Sequence, residues 1–249
     1  AFWPANAVLL GLLVRFPRLA RAGGWAAAAV AFVLADAATG SSWTKAGLLT
    51  LCNMVGAAVG YVLMARLTPK DRLLERPAAL VSVMLIVLAA STVTSVFGGL
   101  VNVLLFHGGP ARGFFIWLAT ELANYIVILP IVLTFPGPAA LKRWFIGLIR
   151  TPPKLSAAAP LITYVVCLAM VPMVGGPGAL AFPVPSLLWC ALTYGLAASA
   201  LLTLSFAVWT LVILSMTTAS LTHLSGLELV SLRLGVMLVA LAPITVASA

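Results

Sequence analysis

The sequence predicts an all-α integral membrane protein, a polytopic helical bundle of about eight or nine membrane segments, some of them short or kinked. Composition is the first reason. The 249-residue chain is 63% hydrophobic and only 8% charged, whereas soluble domains carry roughly 25% charged residues. The second reason is pattern. The apolar runs are long and rich in Leu, Ala and Val, and barrel strands instead alternate over about 9–11 residues. The third is the backbone. Facing lipid, every N–H and C=O must find its partner inside the chain, which a helix achieves within one segment.

Nine apolar segments follow in order: residues 2–14, 23–38, 46–65, 77–106, 114–135, 156–174, 179–192, 196–216 and 229–247. Spanning a hydrocarbon core takes about 20 helical residues. The first, second and seventh fall short of that and read as tilted partial spans or helices shielded by neighbours. The fourth exceeds one straight span, and Gly98-Gly99, after the polar stretch 91–95, is expected to kink or break it. Pro130 is expected to kink the fifth. Gly56 and Gly60 form a GxxxG pair on the third, which allows close helix approach within the chain or, as the less favoured reading, a homodimer seam. The chain opens on Ala1-Phe2-Trp3-Pro4, without an initiator Met or a basic leader. It is therefore expected to begin inside a longer protein, after a further N-terminal helix.

Net charge is +9, and its placement argues for a bilayer and against nucleic acid. Arg15, Arg18 and Arg21 follow the first segment, Arg66, Lys70, Arg72 and Arg76 the third, and Lys142, Arg143, Arg150 and Lys154 the fifth. Short, alternate basic loops obey the positive-inside rule. They place these loops in the cytoplasm, in reach of anionic headgroups, and counting onward through an uncharged turn at Thr193-Tyr194-Gly195 leaves the C-terminus cytoplasmic too.

Cys52, Cys167 and Cys190 all lie in apolar runs and read as small core residues. His107 and His223 are isolated near segment ends, so no metal site is expected. There is no phosphate-binding glycine loop, nucleophile elbow or zinc-protease helix motif. On these grounds the chain is expected to carry no catalytic constellation of its own, to need no cofactor, and not to be an enzyme in this region.

Against that apolar background a few polar groups stand out: Asp36 near the end of the second segment, Asn53 in the third, Asn102 in the fourth, Glu121 and Asn124 in the fifth, and Arg233 in the last. An ionisable group at membrane depth costs about 2.5–3.5 kcal/mol on insertion scales, so it usually faces the bundle interior or a cavity. Glu121 and Asn124 are three apart, and Trp117 is four before Glu121; all three share one helix face. Asp36 and Arg233 can instead snorkel to an interface. The asparagines can simply be interhelical packing bonds. Trp3, Trp25, Trp43 and Trp117 lie near segment ends, as an aromatic belt would.

The opening Phe2-Trp3-Pro4-Ala5-Asn6, ahead of an apolar run and Arg15, resembles the WPxN-type start of the first membrane-associated sensor (MASE) family. The pattern continues through Asp36-Ala37-Ala38, Asn53-Met54-Val55 leading into Arg66-Leu67, Phe115 to Glu121 with Pro130 nine residues later, and Leu188-Trp189-Cys190-Ala191-Leu192. The chain differs at Gly56, Asn124 and Thr193, where the family often has an acidic residue, Gly and Arg. The resemblance implies one sensor domain over residues 1–249 in a bacterial inner membrane. Such a domain serves as the input of a diguanylate cyclase, phosphodiesterase or histidine kinase, and its last helix leads to a fused cytoplasmic output domain. The expected ligand or signal pocket comprises Trp3, Asn6, Asp36, Asn53, Trp117, Glu121, Asn124 and Trp189, open to an unidentified ligand or partner protein. A small secondary transporter and a membrane-embedded enzyme remain the alternative readings.

Overall fold

The computed structural model describes residues 3–137, 139, 142, 146, 155–174, 177–217 and 226–248. The side chain of Arg233, the loop residues Arg143, Arg150 and Lys154, and His223 lie outside the described residues. The described chain is all helical, and each of the nine apolar segments contains a helix: α1 (Ala5–Arg15), α2 (Ala22–Ala38), α3 (Trp43–Met64), α5 (Pro77–Phe106), α6 (Pro110–Thr134), α7 (Leu155–Val174), α8 (Pro183–Tyr194), α9 (Leu196–Thr217) and α10 (Gly226–Ser248), with a four-residue α4 (Pro69–Arg72) in the second basic loop.

Among the described residues, four of these are long and apolar enough to cross a membrane, at Trp43–Met64, Ala78–Phe106, Pro110–Thr134 and Ser156–Val174. At 1.5 Å per residue, the 11 residues of α1, the 17 of α2 and the 12 of α8 reach only about 16–26 Å, short of a hydrocarbon core about 30 Å thick. The outer faces agree with association with a membrane: on α5, Val81, Leu85, Leu100 and Leu104 are each more than half exposed, a stripe that water disfavours and lipid accepts.

The chain divides into two units, Ala1–Leu133 with Leu224–Met237, and Thr134–His223 with Leu238–Ala249. In the first, α3 packs against α1, α2 and α5, and glycine is the reason it can. A Cβ at Gly60 would stand 2.9 Å from the Leu10 side chain of α1, and one at Gly56 would run into the Thr94 hydroxyl of α5. The GxxxG pair thus packs helices within the chain.

The expected break in α5 is absent: the helix runs unbroken over 30 residues. Within its polar stretch the Thr94 hydroxyl donates to the Ala90 carbonyl (3.1 Å) and the Ser95 hydroxyl to that of Ser91 (2.6 Å), the one-turn-back bond that hydroxyl side chains make inside helices. Gly98 and Gly99 make room for neighbours, since added side chains would meet the Trp117 indole and, at 2.9 Å, the Pro110 carbonyl. Helix α5 ends at His107, which is left-handed (φ 51°). There the Asn102 amide donates to the Gly109 carbonyl (3.0 Å) and closes the turn into α6.

Two basic residues do more than report orientation. The Arg15 guanidinium donates to the Val132 and Leu133 carbonyls (2.7 and 3.3 Å), which belong to the last turn of α6 and have no intrahelical partner. Arg72 donates to the Leu67 (3.0 Å) and Ala65 carbonyls at the end of α3. Thr68, Pro69 and Asp71 start α4 as a capping pair, with the Thr68 hydroxyl 2.6 Å from the Asp71 carboxylate.

In the second unit, Tyr164, Leu187, Cys190 and Phe206 form a buried apolar cluster. The Tyr164 hydroxyl donates to the Leu202 carbonyl (3.0 Å), and the Tyr194 hydroxyl to that of Ala157 (2.6 Å). Gly195, at φ +76°, makes the turn between α8 and α9.

Replacing Gly56 by Ala is expected to lower stability by about 1–3 kcal/mol, the usual cost of overpacking. Gly47→Ala, on the same helix with open space around it, is expected to be neutral or to stabilise by about 0.5–1 kcal/mol. Denaturation of the two variants in detergent checks the contrast.

Candidate ligand site

The first unit contains a hydrogen-bonded cluster built from three helices. Asn6, the second residue of α1, donates through its side-chain amide to the Asn53 carbonyl oxygen on α3 (3.0 Å) and to the Glu121 carboxylate on α6 (2.9 Å). All three side chains are buried. One turn further along α6, Asn124 donates to the backbone carbonyl of Trp3 (2.9 Å) and so fixes the chain just ahead of α1. The Trp3 ring stands edge-on to Phe32 of α2 at 6.4 Å.

Beside this cluster lies a cavity of about 240 Å³. Trp3 and Asp36 line it from the start of the chain and the last turn of α2. Leu49 and Asn53 line it from α3, Phe106 from the end of α5, and Ile116, Trp117, Thr120 and Glu121 from α6. Trp3, Asp36, Leu49 and Phe106 lie toward the helix ends remote from the basic clusters at residues 15–21 and 66–76, whereas Asn53 and Glu121 stand midway along α3 and α6. The cavity therefore reaches from one end of this helix group to its middle.

The polar atoms around it are under-satisfied. One carboxylate oxygen each of Glu121 and Asp36, the Trp3 indole N–H and the amide oxygens of Asn6 and Asn124 are buried without a hydrogen-bond partner among the described residues. Asp36 is only 8% exposed, so it does not snorkel to an interface; it faces the cavity. No ion pair to either carboxylate occurs among the described residues, where the pair that does occur joins Arg76 and Asp71 at the surface (3.7 Å). At the rim, the Lys45 ammonium lies 4.9 Å from the Phe106 ring centroid.

Of the eight residues expected at a pocket, Trp3, Asp36, Asn53, Trp117 and Glu121 line this cavity, Asn6 is bonded to two of them, and Asn124 holds Trp3 in place. Trp189 belongs to the second unit, on α8, and is 47% exposed. Leu49, Phe106, Ile116 and Thr120 were not anticipated. Helical spacing carried the signal for three of them: Leu49 is one turn before Asn53, and Ile116 and Thr120 share the face of Trp117 and Glu121.

Replacing Asn6 by Leu is expected to cost about 1–3 kcal/mol, because it leaves the Asn53 and Glu121 oxygens buried without a donor. For the same reason Glu121→Gln is expected to retain more stability than Glu121→Leu. Unfolding titrations of the purified variants read both.

Two curated relatives place this geometry in context. The chain is 27% identical over 254 residues to a probable diguanylate cyclase, DgcF, of Escherichia coli O157:H7, an alignment covering 98% of this chain and 51% of that protein. It is 29% identical over 133 residues to the probable diguanylate cyclase DgcF of Escherichia coli strain K12, covering 52% of this chain and 39% of the relative. The chain thus spans about half the length, or less, of the relatives it matches. No family model matches it, and no solved structure does. The similarity supports a role in cyclic-di-GMP signalling and corrects the expectation that the chain is not an enzyme: a relationship to diguanylate cyclases over 98% of its length points to one. Local catalytic motifs carry no trace of this relationship, which lies in similarity spread along the chain.

Proposed function

We propose that the chain is the membrane-embedded input region of a diguanylate-cyclase-type signalling protein of the bacterial inner membrane, related to the MASE sensors. The observation that carries the reading is the cavity. The stretches that resemble the sensor family supply Asn6, Asn53 and Glu121, and these meet in one buried cluster beside a space that Asn53, Glu121 and Asp36 help to line. A purely structural cluster has no need of an adjoining cavity with two buried carboxyl groups in its wall, each buried at a cost in apolar surroundings. The similarity to probable diguanylate cyclases along the chain supports the output.

In this reading the basic loops and the C-terminal end of α10 face the cytoplasm, and the cavity faces the outside. An occupant that binds two arrangements of the helices with different affinity shifts their populations, and α10 carries the change toward the cytoplasmic output. A coupling of about 1–3 kcal/mol changes output some 5–150-fold.

With the full-length protein in membranes, Trp117→Ala, Glu121→Gln and Asn53→Ala are each expected to change the rate of cyclic-di-GMP synthesis about fivefold or more, in line with that coupling. Leu85→Ala, on the exposed face of α5, leaves the rate unchanged. Pocket variants that fold normally and match the Leu85 control contradict the proposal.

A further inference from the structure

The lining of the cavity defines a chemical class of occupant. Glu121 and Asp36, 3% and 8% exposed, both line it, and each has one buried carboxylate oxygen without a hydrogen-bond partner among the described residues. Lys45 acts electrostatically on Asp36, and Glu121 has no ion pair among the described residues; two buried carboxyl groups lining one space favour a bound positive charge. Around them stand the aromatic side chains of Trp3, Trp117 and Phe106. Aromatic faces attract organic ammonium ions through the ring quadrupole, whereas a hard divalent cation calls for about six to eight oxygen ligands. The molecule already shows the preference, since the ammonium of Lys45 rests over the Phe106 ring at 4.9 Å.

We propose that this cavity binds a small organic ammonium ion, its charge between Glu121 and Asp36 and its alkyl groups against Trp3, Trp117 and Phe106. The inference rests on the reading of the cavity as a ligand site and adds the ligand's chemistry. Lys45 acts as a built-in competitor at the rim. The ammonium comes either from a soluble amine or from a lipid headgroup such as ethanolamine, and the two share this chemistry.

Calorimetric titration of the full-length protein in phosphatidylglycerol nanodiscs, with choline as the probe, tests it. Saturable binding is expected. The uncharged isostere of choline, with tert-butyl in place of trimethylammonium, is expected to bind at least about tenfold more weakly, because the cation–π and ionic attractions are gone. Glu121→Gln and Asp36→Asn are each expected to weaken choline to a similar degree with the thermal midpoint retained, and Lys45→Met to tighten it. If phosphatidylethanolamine in the nanodisc suppresses choline binding, the ammonium belongs to a headgroup; undiminished binding assigns it to a soluble amine, and both outcomes support the site. No saturable binding, equal binding of the isostere, or indifference to both carboxamide variants overturns the proposal. The titration reads binding without output. Choline that binds yet leaves cyclic-di-GMP synthesis unchanged removes the input reading alone, and pocket variants that change synthesis in a protein that binds no ammonium remove this one alone.

Discussion

A single side-chain amide, that of Asn6, ties together the first helix, the third and the sixth. Its two hydrogen bonds, to Asn53 and Glu121, span sequence separations of 47 and 115 residues. Apolar helices in lipid gain little from hydrophobic contact with one another, so packing and interhelical hydrogen bonds must set their arrangement. Most of this chain offers only Leu, Ala and Val for that purpose. The Asn6 amide fixes the register of three helices at one point, and Asn124, holding the Trp3 carbonyl, fixes the chain that leads into the first of them.

Close packing completes what the amide begins. Gly56 and Gly60 bring α3 against α5 and α1, and Gly98 admits the Trp117 indole against α5. The cavity is what remains beside the cluster once these helices have met, and its walls take their chemistry from the side chains the packing leaves there: Glu121, Asp36, Asn53 and the aromatic residues Trp3, Trp117 and Phe106. At the other helix ends the basic residues have a second role. Arg15 donates to carbonyls in the last turn of α6 and Arg72 to that of Ala65, which follows the last residue of α3, so two of the loop charges also cap helices.

Much of the helical layout was legible because an apolar run of helical length has one way to satisfy its backbone in lipid. The shortness of α1, α2 and α8 was legible too, since their apolar runs already fall below the length of a hydrocarbon core. Gly98-Gly99 does not break α5; a glycine pair signals either backbone freedom or close approach, and the close approach of Trp117 is not written in the sequence around it. Asp36 was ambiguous for a similar reason: a carboxylate near a helix end can reach water or turn inward, and the sequence does not contain the cavity it turns to. The Trp117–Glu121–Asn124 face followed directly from helical spacing. That Asn6 meets it depends on a contact across 115 residues, which periodicity within one segment does not encode. Trp189 was grouped with the others by its place in a resembling motif, and it lies in the second unit.

The central claim is that Asn6 and Glu121 act as a coupled pair that organises the helices around the cavity. A double-mutant cycle with Asn6→Ala, Glu121→Ala and the double variant, followed by reversible unfolding in detergent or bicelles, measures that coupling directly. The account requires an interaction energy of about 0.5 kcal/mol or more, in the range for groups in direct contact. Additivity within about 0.3 kcal/mol would contradict it, showing that the two side chains contribute independently and that something else sets the helix register.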